Sequence, residues 1–187
     1  MHDGSIFQRS FTSAHLTEDD SSTKIIADSL IGWFTLGWGA STVTDGEFAT
    51  AVGMSPYLGY GHNTFCFRIM YDQGTAANKI PHEEVFDFGL FYGYNLRSSN
   101  AVASFVFGPA YGYVKQRIFD KQDTVNSFPV DHYSAKTTRI FGLGWQVQGF
   151  LRFSDSSGVG LGLTFGGNVN STRSFNLFLL SIVFGHF

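Results

Sequence analysis

Charge is what this sequence has least of. Asp, Glu, Lys and Arg make up 14% of its 187 residues, against roughly 25% in an average soluble chain. No basic stripe is present to neutralise phosphates, which excludes nucleic acid as a partner. The single cysteine, Cys66, forms no internal disulfide and offers no metal-ligand spacing. Set in an alternating apolar run, it reads as a packed thiol. Long apolar runs are missing too: Leu177–Leu180 is the longest without interruption, and admitting Ser181 and Gly185 extends it only to residue 185. A membrane-spanning helix needs ~18 such residues. With a mean hydropathy of +0.01, a helical membrane protein is excluded. The length fits one domain with room for a sizeable core.

Aromatic residues and glycine take the place of charge. Phe, Trp and Tyr make up 17% of the chain, with 21 Phe, and Gly occurs 22 times. So much apolar surface excludes disorder, because its burial offsets chain entropy. The net charge of -3 sits in a tail. Residues 1–28 carry Arg9 and Lys24 against Asp3, Glu18, Asp19, Asp20 and Asp28, which leaves the remainder balanced. Residues 1–29 are polar, Ser/Thr-rich and aperiodic, and read as a flexible or loosely docked tail. They contain no apolar h-region, so export would imply a leader that has been removed.

From residue 30 the texture changes. Aromatic and β-branched segments, separated by Gly/Asn/Asp/Ser clusters, are placed at 30–42, 48–60, 63–73, 84–96, 101–114, 140–153, 158–168 and 174–187. Their only charges are Arg68, Asp72, Glu84, Asp87 and Arg152. A soluble sheet would carry Lys, Glu and Thr on its solvent half, and here that half is missing. Alternation shows what replaced it. Phe86, Phe88, Leu90, Tyr92 and Tyr94 share one face, opposed by Asp87, Gly89, Gly93, Asn95 and Phe91. Phe141, Leu143, Trp145, Val147, Leu151 and Phe153 oppose Gly142, Gly144, Gln146, Gln148 and Arg152. The segments at 63–73 and 158–168 repeat the contrast. A large apolar face turned to lipid and a small polar face lining a narrow lumen is the pattern of a membrane barrel. Closure is required, because an open edge cannot sit in hydrocarbon.

Connection lengths agree. The second, fourth and sixth connections are short, whereas those at 74–83 and 115–139 are long, the rhythm of short periplasmic turns and long external loops. The expected fold is all-β: an eight-stranded antiparallel up-and-down transmembrane β-barrel over 30–187, with both chain ends on the short-turn side. Together with GLFYGYNL at 89–96, FGPAYGYV at 107–114, GLGWQVQGFLRF at 142–153, GVGLGLTFGGNVN at 158–170 and SFNLFLLSIVFGHF at 174–187, this resembles the small eight-stranded outer-membrane barrels of the OmpA/OmpX type. The texture is similar to the outer-membrane β-barrel proteins of Bacteroidota. The resemblance implies bacterial outer-membrane localisation, and Phe187 is similar to the terminal aromatic that the assembly machinery recognises. One strand departs from the pattern. With Phe187 facing lipid, Asn176, Phe178, Leu180, Ile182, Phe184 and His186 would turn inward, so either the strand is reversed or apolar side chains plug a space left by glycines.

Arg68, Asp87, Gln146, Gln148 and Arg152 fall on the small-residue faces, as a polar lumen network that stops conduction or, in the functional alternative, as a constriction. Trp33, Trp38, Trp145 and Phe187 are the candidate interface aromatics. Asp131-His132-Tyr133-Ser134 is similar, in its His-x-Ser element alone, to the outer-membrane lipid A deacylase. Ser134 is not followed by Asn, and Gln146 stands where that family has an acid. His82, Glu83 and Glu84 point to opposite sides of a strand and suit a solvated rim better than a metal. His62 reads as a turn residue. The glycines at 158, 160, 162, 166 and 167 precede no helix and so make no phosphate loop.

The expectation is a non-enzymatic outer-membrane barrel without cofactor or metal. Its role would be structural or interactive, in a porin-like barrel that is a subunit of a larger envelope complex and not a wide channel. Its partners would be outer-membrane lipid and envelope proteins, reached through loops 74–83 and 115–139 or the tail. The alternatives are a lipid-modifying enzyme of the deacylase kind and a soluble calycin-like barrel holding an apolar ligand.

Overall fold

The computed structural model describes residues 30–43, 48–74, 81–125, 128–153 and 158–186. The tail at 1–29 and Phe187 lie outside the described residues. Eight strands follow in order: Leu30–Val43 (β1), Phe48–Tyr60 (β2), Asn63–Gly74 (β3), Glu84–Arg97 (β4), Ala101–Val125 (β5), Phe128–Arg152 (β6), Val159–Val169 (β7) and Phe175–His186 (β8). Each pairs antiparallel with the next. β1 also pairs with β8, from Gly32↔His186 to Val43↔Phe175, so the sheet closes into a barrel.

The pleat sorts the residues as their alternation requires. On β4, Phe88, Leu90, Tyr92, Tyr94 and Leu96 are exposed, whereas Val85, Asp87, Phe91 and Asn95 are buried. Neighbouring strands bring the outward aromatics into cross-strand contact: Phe65 with Tyr92 at 5.0 Å, Phe86 stacked on Tyr113 at 5.4 Å, and Phe165 with Phe178 at 4.7 Å between ring centroids. Such pairs reinforce the register that the backbone ladder sets. At the two-residue turn Gly61-His62, Gly61 has φ of 56°. A tight hairpin needs that left-handed conformation at its first central position, and glycine adopts it without a Cβ penalty.

β8 resolves the departure noted in its sequence. Phe178, Leu180, Ile182 and Phe184 face out, while Phe175, Leu177, Leu179, Ser181 and Val183 face in. The strand is therefore reversed relative to the facing that an outward Phe187 would impose. Its inward face is still apolar, and the glycines opposite make room for it. A Cβ on Gly37 would come 2.9 Å from Leu179 Cβ, and one on Gly53 would come 3.0 Å from Leu179 Cδ1.

The stretch 115–139 is not a loop. β5 and β6 pair continuously from Ala101↔Leu151 to Val125↔Phe128, broken only by a bulge between Phe119 and Lys121. β4 pairs β5 only as far as Lys115, and β7 pairs β6 only as far as Leu143, so the two strands project beyond the barrel as a hairpin. Alternation did not mark these residues as strand because neither face of the hairpin packs on a core. Pairing there rests on the ladder and on local contacts. Arg117 lies 3.3 Å from the Tyr133 ring centroid, Phe119 meets Tyr133 edge-on, and Gln122 donates to Asp131 at 2.7 Å.

Replacing residues 119–133 by Asn-Gly joins the paired residues Ile118 and Ser134 with a two-residue turn. The shortened chain is expected to keep its unfolding midpoint, measured by gel mobility with and without boiling over a temperature series. Loss of the folded band would show that the hairpin is needed for the barrel.

Candidate functional site

Inside the ring, the small faces of opposite strands bring buried polar groups within reach of one another. Arg68 on β3 is the centre of one group. Its Nη2 lies 2.6 Å from Asp87 Oδ1 and its Nε donates to the same oxygen at 3.1 Å. The guanidinium crosses the lumen as well, with Nη1 donating to Trp145 O at 3.1 Å and Nη2 to Gly167 O at 3.2 Å. Asn168 Nδ2 on β7 donates to the other carboxylate oxygen, Asp87 Oδ2, at 2.7 Å. Both ions are fully buried. A buried ion pair repays its desolvation only when its remaining hydrogen-bonding sites are filled, and here backbone carbonyls and Asn168 fill them.

Gln146 and Gln148 on β6 form the second group. Gln146 Nε2 donates to Tyr57 Oη and Ser55 Oγ on β2, on the opposite wall. Gln148 Nε2 donates to Thr164 Oγ1 at 3.2 Å, and Thr164 meets Ser181 at 3.1 Å. Gln148 Oε1 accepts from Trp33 Nε1 at 3.3 Å. Trp33 is thus not an interface aromatic. It is 3% exposed, stacked on Tyr57 at 4.7 Å, and lines the lumen. Trp38 is 66% exposed on the outer face. The odd spacing of the two residues places them on opposite sides of any regular strand, so only one of them can face out. Trp145 is half-buried among the outward residues of β6, and Phe187 lies outside the described residues. Arg152 also departs from the expected network: it is half-buried at the short-turn end of β6, where its N–H donates to Asn100 O at 2.9 Å.

Apolar side chains pack on both sides of this polar layer. Towards the short turns lie Ile31, Trp33, Tyr57, Cys66, Phe91, Val102, Val106 and Phe150. Towards the long connections lie Met70, Val85, Val114, Ile140, Phe175, Leu177 and Leu179. The Phe91 ring occupies space that Gly89 and Gly144 leave free, where a Cβ would come within 2.4 Å and 2.6 Å of it. Its face also receives Arg68, 4.8 Å from the ring centroid. Among the described residues, the lumen side chains therefore pack against one another as an interior.

Ion pairs and turns tie the two rims. At the outer mouth, Asp72 accepts from Ser41 Oγ at 2.7 Å and from the Val85 N–H at 3.0 Å. Buried Arg173, between β7 and β8, reaches Glu83, between β3 and β4, at 2.5 Å and so spans the mouth. Glu84 turns away to Lys115 at 2.8 Å, and among the described residues no cluster of three or more His, Cys, Asp or Glu could hold a metal ion. Above the apolar band, the Glu84 carboxylate holds the Lys115 ammonium above its ordinary range. At the opposite rim, Arg97 donates to Asn95 Oδ1 at 2.7 Å and to Gly61 O, and His62 donates through Nδ1 to Asn95 O at 3.1 Å. On the projecting hairpin, Ser134 Oγ donates to Asp120 Oδ1 at 2.9 Å, while His132 Nε2 lies 3.2 Å from Asp123 Oδ2. Hydroxyl and imidazole are each engaged elsewhere, not with one another.

Ser55, Tyr57, Thr164, Asn168 and Ser181 belong to the network but were not singled out from sequence. Their inward parity was readable, but alternation along a strand does not say which inward residues meet: Ser55, Tyr57 and Asn168 find partners across the lumen, and Thr164 and Ser181 on paired strands.

No protein-family model matches the sequence, and no curated protein matches it. Solved structures do match the fold. Ail, the attachment invasion locus protein of Yersinia pestis, solved with the heparin analogue sucrose octasulfate, is similar with a TM-score of 0.55 at 8% identity, covering 84% of this chain and 99% of that one. Neisserial surface protein A (NspA) is similar with a TM-score of 0.54 at 10% identity, covering 84% of this chain and 96% of that one. The architecture is that of the small eight-stranded outer-membrane barrels.

Asp87→Leu leaves the Arg68 guanidinium buried without its counter-ion and is expected to cost ~3–5 kcal/mol in denaturant unfolding of the barrel. The double variant Arg68→Met/Asp87→Leu is expected to be more stable than Asp87→Leu alone. An Asp87→Leu barrel as stable as the parent would show that the pair is not what braces the lumen.

Proposed function

We propose that this chain is an integral β-barrel of the bacterial outer membrane. Its role is structural or interactive, it does not conduct, and it catalyses no reaction. The observation that carries this reading is the sorting of side chains by the wall: large apolar residues turn out on every strand, and Arg68, Asp72, Asp87, Gln146 and Gln148 turn in. In water that arrangement exposes an extensive apolar surface, far beyond the few hundred Å² typical of soluble monomers. In lipid it removes the cost. The same sorting disfavours a soluble calycin-like barrel, which needs its large apolar residues inside. The packed apolar layers on both sides of the Arg68–Asp87 group support a closed lumen.

The projecting β5–β6 hairpin and residues 81–83 before β4 lie at one end of the barrel, and residues 75–80 of the expected 74–83 loop lie outside the described residues. They are the surfaces we assign to partners in the envelope or beyond it. An interaction role fits the use of this fold in Ail, whose name is that of an attachment protein. The Gly- and Phe-rich texture of the strands is the ground for placing the chain with the Bacteroidota-style barrels. The deacylase alternative has no geometric support, because Ser134 and His132 pair with different aspartates.

Membrane fractionation followed by electrophoresis with and without boiling tests the placement. The protein is expected in the envelope fraction, with a mobility shift on heating, and a cytosolic protein indifferent to boiling would overturn the reading. In planar bilayers the purified protein is expected to give no steady open conductance. A steady conductance would overturn the assignment of a closed lumen.

A further inference from the structure

Where the β5–β6 hairpin stands clear of the barrel it has two edges, and they differ. On β5, above Lys115, the strand is interrupted by the bulge between Phe119 and Lys121, and the Arg117 N–H donates to Glu83 Oε1 at 3.4 Å. A bulge bends an edge away from further pairing. β6 carries no bulge, and among the described residues no strand pairs its other edge from Phe128 to Gly142. Such an edge is a template for another strand, which its N–H and C=O groups would bind.

Side-chain charge says which strand fits. Asp131, Tyr133, Ala135, Thr137 and Arg139 share one face of β6, the face that continues to exposed Phe141 and Leu143. Asp131 and Arg139 are both exposed, and Ala135 lies midway between them. Neither has an ion pair among the described residues, and Asp131 receives only Gln122 Nε2 at 2.7 Å and the Tyr133 hydroxyl at 3.4 Å. A two-fold axis through Ala135, perpendicular to the hairpin sheet, sets a second β6 antiparallel beside the first. Asp131 then stands opposite the partner's Arg139, and Arg139 opposite the partner's Asp131. His132 meets Thr138, Tyr133 meets Thr137 and Ser134 meets Lys136, so no pair sets like charges opposite one another. Neighbouring registers lose this match. An axis through Ser134 puts His132 opposite Lys136, and one through Lys136 puts that lysine opposite itself.

We infer that two copies of this chain join by pairing their β6 edges over Asp131–Arg139, with two reciprocal Asp131–Arg139 ion pairs fixing the register. The partner is a second copy because the charge pattern of the edge is complementary to itself, as a two-fold contact requires. The paired strands are antiparallel, so the two barrels point in opposite directions and the contact joins facing membranes. The inference rests on the reading of the chain as a membrane barrel whose hairpin serves partners. One such contact is small and weak, and many of them between two membranes add as avidity.

The test uses phosphatidylcholine vesicles carrying the folded protein. One population contains a biotinylated lipid and is held on streptavidin beads, the other is fluorescent, and the fluorescence captured is compared with that of vesicles lacking protein. The parent on both populations is expected to give capture. Asp131→Arg on both, or Arg139→Asp on both, sets like charges opposite one another and is expected to lower capture about tenfold. Asp131→Arg on the beads with Arg139→Asp on the free vesicles restores opposite charges at both positions and is expected to restore capture. Asp131→Lys and Arg139→Glu carry the same test should either variant fail to give the heat-shifted band. Capture that either substitution leaves unchanged, or that mixing the two variants does not restore, overturns the inference. A parent protein that gives no capture, yet fractionates with the envelope and shifts on boiling, defeats this contact alone. One that does none of these defeats the membrane reading as well.

Discussion

The structure depends on the pairing of β1 with β8. An unpaired strand edge leaves a row of N–H and C=O groups that hydrocarbon cannot satisfy, at a cost of several kcal/mol for each group. Closing the ring removes both edges at once, and the other features follow from it. With the ladder running round all eight strands, side chains have only two destinations, outward or into a lumen that eight strands leave narrow. The sequence meets both conditions with aromatic and aliphatic residues on one face and glycine, serine, threonine and a few ions on the other.

Filling that lumen is the second condition. Glycines leave room for large inward side chains, as Gly89 on the same strand and Gly144 on β6 do for Phe91, and Gly37 and Gly53 on β1 and β2 do for Leu179. Between the apolar layers, Arg68 and Asp87 reach the carbonyls of Trp145 and Gly167 and the amide of Asn168, tying β3 and β4 to the opposite strands. Gln146 does the same from β6 to Tyr57 on β2. These cross-lumen bonds use groups that would be costly to bury singly, and they fix the relative height of opposite strands, which apolar packing alone does not specify. The Glu83–Arg173 pair repeats the device at the mouth.

Much of this was legible in the chain. Period-2 alternation located the strands and their facing wherever one face was crowded with rings, as in Phe86 to Tyr94, and the shortage of charge within strands pointed to lipid. Three features were not legible. Trp33 was assigned outward by residue type, although its odd spacing from Trp38 sends it inward, where Tyr57 and Gln148 receive it. The stretch 115–139 lacks an apolar face because its hairpin stands clear of the barrel, so alternation could not announce it. Arg152 shares the parity of Gln146 and Gln148 but sits at the rim, a difference in height that parity does not encode.

Beyond the ring, the projecting hairpin presents paired backbone with both polar and apolar side chains, Ile118, Phe119 and Val130 among the latter. The account of the ring itself depends on which residues face lipid. Fluorescence quenching in vesicles of brominated phosphatidylcholine measures that directly, with variants that retain either Trp38 or Trp33 as the single tryptophan. Trp38 is predicted to be strongly quenched and Trp33 to be shielded within the lumen. Equal quenching of the two, or quenching of Trp33 alone, would contradict the account.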